Sequence, residues 1–324
     1  MSKLAAIIGE TEEVCASALR SGALALVAQK LTDTALGPTA LVRRLTVSAN
    51  FELELKKLAA EIKADGDMPS AALQRALLLN AAIASLKKLE GFPVESSVKR
   101  LICEEFRFFA NPSEREMKLF VPGQYSLLAL AKISILERFP AGQFHWEVSG
   151  FPRSWLFKVP LGELPRVAYF LGGRLKGFSP CFFPHMATRR KNPLMLLEKE
   201  SDKSWFRMAA SAQLFPGIRG LVASSWLHSP DTYKVSPHLS FINKPFVESG
   251  GVVTTMGEAD ESAGYMVGSA QRRQMLKAGD FRPTLGLVLW SRKQMAAWVG
   301  QHPELEDKED TAVLSNSFQV RRTT

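Results

Sequence analysis

Six side chains able to bind or move a proton fall within fifteen residues: Ser224, Ser225, His228, Asp231, Tyr233 and His238. The run lies where an apolar strand over 220–227 gives way to a helix over 236–249. In layered α/β folds the C-terminal ends of strands are where ligands bind. An imidazole titrates near working pH, so His228 or His238 is a candidate base for an amine or hydroxyl acceptor. Ser225 is the accompanying catalytic hydroxyl, although a Ser–x–x–His spacing is too common to mark a nucleophile and its base by itself. The bland alternative is that both histidines are loop and helix-cap residues.

Positive charge stands close by. Ser236 reads as the N-cap of the following helix with Pro237 at its first position, and Lys234 precedes it. Free N–H groups and a cation at a helix start make an anion site. Arg272 and Arg273, with Lys277, lie on a short helix over 269–278, and Arg189-Arg190-Lys191 lies in a loop. With Arg282 and Arg292 these fit either a phosphate-lined groove or an ordinary solvated face. His185, after Cys181-Phe182-Phe183-Pro184, is placed to reach the same cleft or to serve as a partly buried structural histidine. His145 and Glu147 alternate along a strand and share one face, but two ligands without a third are not a metal site, so no metal is expected.

The elements that must hold these residues divide at about residue 111. Before it the chain reads as helical. Apolar residues at helical spacing predict helices over 51–64, 69–90 and 94–109, the first capped by Asn50 and stopped near Gly66. The second begins at Pro69 and has so little polar circumference that it belongs inside a bundle. After residue 111, helices over 126–139, 161–176, part of 193–213, 236–249, 269–278 and 293–299 are expected. They alternate with strands over 144–148, 179–186, 220–227, 252–256 and 285–290. That alternation predicts helices layered on a sheet.

The length, 324 residues, exceeds the usual single domain of roughly 100–200 residues, and 46% hydrophobic composition is ample for a buried core. Charge is uneven. Residues 1–111 carry 14 Lys and Arg against 13 Asp and Glu, whereas 112–303 carry 24 against 14. Such a field favours phosphate-bearing partners: nucleic acid, a CoA or nucleotide cofactor, or an anionic membrane surface. Cys15, Cys103 and Cys181 are too few and too scattered for a disulfide framework or zinc finger. No run approaches the roughly 18 apolar residues that span a bilayer, and the short apolar N-terminus does not read as a secretory leader. A cytoplasmic location, with no membrane partner, is the expectation.

Over 218–292 the element order resembles the acyl-CoA N-acyltransferase superfamily, the GNAT fold. The strand at 221–227 and the helix at 236–249 ending on Gly250-Gly251 carry the likeness. So do the strand at 252–256, the helix at 270–279 ending on Gly279 with Phe281 just beyond, and the strand at 285–290. The resemblance implies that the first strand carries acceptor and cofactor contacts and that the next helix faces a CoA diphosphate. Two departures stand out. The turn over 228–236 has no glycine where the family has a Gly-rich phosphate turn. Met275 occupies the place of the family's tyrosine acid, four residues before the terminal glycine.

The sequence therefore predicts an α+β protein. It has a helical region 1–111, a mixed α/β, GNAT-like layered domain 112–303, and an acidic, polar tail 304–324. The expected function is acyl transfer from a CoA-type thioester to an amine or hydroxyl of a small metabolite. Lys234, Ser236, Arg272 and Arg273 would hold the donor, and His228, His238 and Ser225 would act on it. The alternatives are a non-catalytic nucleic-acid-associated protein using the basic 112–303 region, and an assembly protein whose 1–111 region self-associates.

Overall fold

Local capping explains where the N-terminal helices start. In the computed structural model, which describes residues 2–48, 50–62, 70–120, 125–187, 196–259 and 269–307, Asn50 accepts a hydrogen bond from the Leu53 amide at 2.9 Å. Ser2 caps the first helix in the same way from Ala5. The expected stop at Gly66 and the start at Pro69 lie outside the described residues. The helices are α1 (Lys3–Leu19), α2 (Gly22–Thr32), α3 (Pro38–Val47), α4 (Phe51–Glu61), α5 (Ser70–Leu89) and α6 (Ser96–Ala110), then α7 (Glu114–Met117) and α8 (Tyr125–Ser134). Helix α5 packs against α1, α2, α3, α6 and α8. Its buried Leu73, Leu77, Leu78, Leu79 and Leu86 point in several directions, which is why its sequence lacks a polar face.

The helix expected over 126–139 ends at Ser134. Leu136 takes a left-handed backbone, φ 58°, and turns the chain into a strand instead. Strands β1 (Arg138–Pro140), β2 (Phe144–Ser149), β3 (Cys181–Met186), β4 (Gly220–Ser225), β5 (Val252–Glu258) and β6 (Thr284–Ser291) form one sheet in the order β1-β2-β3-β4-β6-β5. Every neighbouring pair is antiparallel except β3 and β4. The chain is thus α+β, with a helical N-terminal region and a mixed six-stranded sheet.

Each face of the sheet buries its own cluster. Trp146, Phe182, Leu221, Ala223 and Trp290 face the helices and share one continuous core with α1 to α6. Two later helices, α10 (Glu198–Leu214) and α14 (Arg292–Gln301), cover that side, and Trp205 of α10 stacks on Phe144 at 4.4 Å between ring centroids. The other face buries Cys181, Val222, Leu287 and Leu289 under the connection between β2 and β3. That connection holds a 3-10 turn at Arg153–Lys158, α9 (Leu164–Tyr169) and a π turn at Phe170–Arg174, so the helix expected over 161–176 is split in two.

The helix expected over 236–249 is also broken. The chain forms α11 (Pro230–Val235), a 3-10 turn at Pro237–Asn243 and α12 (Lys244–Glu248). Prolines 230, 237 and 245 each sit at a first or second helical position, where a missing N–H costs nothing, so each restarts the helix. Helix α13 (Ala270–Ala278) ends on Gly279 at φ 80°, the left-handed cap that its sequence predicts.

Candidate active site

Strands β3 and β4 run parallel and meet at a single register pair, Phe182 with Leu221. On their outer edges both strands are fully laddered, β3 to β2 and β4 to β6. Pairing between them thus lapses toward their C-terminal ends, leaving a wedge of unladdered backbone inside the sheet among the described residues. Three residues beyond the joint stand His185 on β3 and Ser224 on β4. Strand alternation puts both on the face that carries Cys181, Phe183 and Val222.

His185 is held there by its neighbours on the sheet. Its Nε2 lies 2.7 Å from Oε1 of Glu147 on β2, and its ring lies against Phe183. Glu147 is also bridged by Nζ of Lys132 from α8 at 2.6 Å and approached by Arg138 of β1 at 3.5 Å. Burial alone would raise the Glu147 carboxyl. The hydrogen bonds from His185 and Lys132 and the charge of Arg138 outweigh it and hold the carboxyl down at about 2. An ionised carboxylate can only accept, so Nε2 donates this hydrogen bond, and the tautomer that does so leaves the other lone pair on Nδ1. The result is an imidazole held in one orientation near the C-terminal end of β3, 18% exposed.

The residues singled out from the sequence fall into three places. His228 is buried in the short turn after β4, its Nδ1 2.8 Å from Oδ1 of Asn243 and its ring beside Trp205 and Phe246. Burial pushes its pKa down to about 4, so it is neutral at working pH and enclosed. His238 is exposed on the following 3-10 turn. Ser225 ends β4 and accepts from the Leu227 amide, capping the turn that carries His228. Those three do not converge on one point in the described contacts.

Of the residues expected to hold an anion, Ser236 and Arg272 meet each other. Ser236 stands at the N-cap position of the 3-10 turn with Pro237 next, but it is buried and its side chain caps no amide. Its hydroxyl accepts instead from Nη1 of Arg272 at 3.0 Å, while the Arg272 guanidinium lies 5.0 Å above the Trp226 ring. Arg273, its neighbour on α13, is exposed. Lys234 pairs with Asp231 at 2.8 Å, and Asp231 also accepts from Thr284. Tyr233 donates to the Leu227 carbonyl at 2.7 Å, and burial raises its pKa. Arg189, Arg190 and Lys191 lie outside the described residues, as does most of the acidic tail.

All three cysteines are free and buried, and burial lifts Cys15 and Cys181 to about 12 and Cys103 to about 11, which removes them as thiolate nucleophiles. Among the described residues no group of three or more His, Cys, Asp and Glu side chains could hold a metal, and no helix is long and apolar enough to cross a membrane. The signal for the His185 pair was present in the sequence, since Glu147 and His185 both lie in expected strands. What joins them is the antiparallel register of β2 and β3, which no local pattern reveals. No known protein family, characterised protein or solved structure matches this chain.

Proposed function

We propose that this protein is an acyltransferase that moves an acyl group from a CoA-type or other acyl thioester to an amine or hydroxyl of a small metabolite. The chemistry would take place at the wide end of the wedge between β3 and β4. The observation that carries this reading is the parallel pair joined only at Phe182 and Leu221. Beyond the joint the facing edges of the two strands have no strand partner among the described residues. A donor arm with its own amides, such as the arm that ends in the thiol of a CoA-type donor, can add to such an edge as an extended strand.

A strand–helix–strand–helix–strand order of the kind the GNAT resemblance implies also occurs starting one strand earlier, at β3, and supports this reading. Strand β3, helix α10, strand β4, the broken helical run from α11 through α12 ending at Gly250-Gly251, and strand β5 then follow in turn. Four residues before Gly250 stands Phe246, fully buried and without a hydroxyl, so a tyrosine acid is missing in this alignment too. The first turn of α10 carries Glu198 and Glu200, which disfavours a diphosphate there. Recognition is therefore assigned to the arm and thioester more than to the nucleotide.

In the proposed reaction the acceptor nitrogen or oxygen attacks the thioester carbonyl carbon, and its proton passes to Nδ1 of His185. Glu147 fixes the ring and offsets the imidazolium charge. Collapse of the tetrahedral intermediate breaks the C–S bond, and the departing thiolate takes the proton from His185. Thiol release from acetyl-, malonyl- and long-chain acyl-CoA, with a panel of amine and alcohol acceptors, tests this. His185→Gln should lower the rate about 10²–10⁴-fold. Absence of thiol release by the unaltered protein with every pair would overturn the reaction, and an unchanged rate in His185→Gln would overturn the base.

A further inference from the structure

The connection between β2 and β3 is a layer with two unlike sides. Phe151, Val159, Val167, Phe170 and Leu171 are buried against the sheet. On the other side Phe157 is 92% exposed, Leu161 86% and Tyr169 74%. Three large apolar groups are thus bared within residues 157–169 of one segment. Around them Arg153, Lys158, Arg166, Arg174 and Lys176 are all exposed, against the single acid Glu163. Even that acid is engaged, with Arg166 at 3.5 Å.

Alternation within the layer keeps this side preformed. In α9, Val167 points into the core while Arg166 and Tyr169, three residues apart on one helical face, point out. Phe157 and Lys158 likewise precede the buried Val159, and Leu161 follows it. The outward side thus interleaves apolar and cationic groups on a fixed support. An aromatic and aliphatic side chain set among Lys and Arg is the composition that settles at a lipid headgroup boundary.

We propose that this face docks on an anionic phospholipid surface. Phe157 and Leu161 enter the boundary between headgroups and acyl chains, Tyr169 lies at headgroup level, and the surrounding cations meet lipid phosphates. The occupant is a bilayer surface because Leu161 offers no ring for a base to stack on, so a nucleic acid would leave it in water, whereas hydrocarbon takes it up. Docking of this kind is peripheral and needs neither the wedge nor its chemistry. Each cation strengthens association about fivefold, and each inserted apolar side chain about tenfold or more.

Co-sedimentation of the full chain with phosphatidylcholine–phosphatidylglycerol vesicles, and with pure phosphatidylcholine vesicles, at low and high salt reads this directly. Binding to the anionic vesicles alone, weakened by salt, is expected. Phe157→Ser combined with Leu161→Ser should weaken it at least about tenfold, and Lys158→Glu combined with Arg166→Glu by about as much. All four positions are exposed, so an unchanged melting temperature confirms that the variants fold. No sedimentation with anionic vesicles, or equal binding by both variants and the unaltered protein, would overturn the proposal. So would a single-stranded oligonucleotide that binds the same face in competition with the vesicles.

Discussion

At His185 a neighbouring carboxylate decides which ring nitrogen holds the proton, and the same carboxylate carries a measurable acid sensitivity. Glu147 stays ionised down to about pH 2 in the folded chain, against an ordinary value of 4.5. Its folded pKa is depressed, so its stabilisation is complete above pH 4.5 and is lost as pH falls toward 2. The amount is about 3 kcal/mol. Buried His228 contributes an earlier window. Its pKa is lowered from 6.5 to about 4, so the unfolded chain binds that proton first and stability declines as pH drops from 6.5 to 4. Glu147→Gln should remove only the lower window and cost about 3–5 kcal/mol at neutral pH, because Lys132, Arg138 and His185 lose their common anion. Urea unfolding at stepped pH checks both, and a variant whose profile stays parallel to that of the unaltered protein below pH 4.5 would contradict the pairing. Of these residues the sequence exposed the chemical types but not the partnerships. His145 and Glu147 were legible as sharing a face. Lys132 reaches Glu147 from a helix and Arg138 from a three-residue strand that was read as the end of that helix.

Among the elements, the one that matters most is the turn carrying His228 over β6. Gly286 lies directly beneath it, and a Cβ there would run into the His228 carbonyl. Gly286→Ala should therefore destabilise by about 3 kcal/mol or more, since the obstacle is backbone and cannot swing aside. A melting temperature within a degree or so of the unaltered protein would contradict that close approach. The same turn shows why the predicted 236–249 helix misled. Apolar spacing is continuous through it, yet Pro237 opens a 3-10 turn and Pro245 restarts the chain as α12, while the Ser236 hydroxyl accepts from Arg272 and caps no amide. Elsewhere local rules sufficed. Asn50 caps α4 and Gly279 closes α13 where their sequences place them. The wedge itself was invisible because it depends on which strands become neighbours. A donor recognised by its arm has a consequence at this scale: acyl-pantetheine thioesters, which lack the nucleotide, should bind within about tenfold of the corresponding acyl-CoA, a difference of roughly 1.4 kcal/mol. Competition titration measures it, and a loss of several hundredfold would shift recognition to the phosphates.

Across the whole molecule, the helical region and the sheet share one buried cluster. Phe92 lies against Phe139 of β1 and against Phe215 just after α10. Ser85 donates to the Ser134 carbonyl at 2.8 Å, and the Glu95 amide to Ser211 at 3.1 Å. Residues 1–111 expressed alone would expose those surfaces and should show no cooperative unfolding, whereas a sharp transition would mark an independent unit. The basic surplus of 112–303 is likewise drawn partly inward, with Arg207 bonded to Asp307 and the Ala141 carbonyl and Arg292 to the Gln213 carbonyl. Net charge was legible from composition, but how much of it faces solvent was not. Donor binding in the wedge is the claim on which the functional proposal depends, and the melting temperature titrated with acetyl-, malonyl- and long-chain acyl-CoA tests it most directly. A saturable rise of about 2–5 °C with at least one donor, abolished by Ser224→Trp at the wedge mouth, is the expected result. No rise with any of them, or an equal rise in Ser224→Trp, would contradict it.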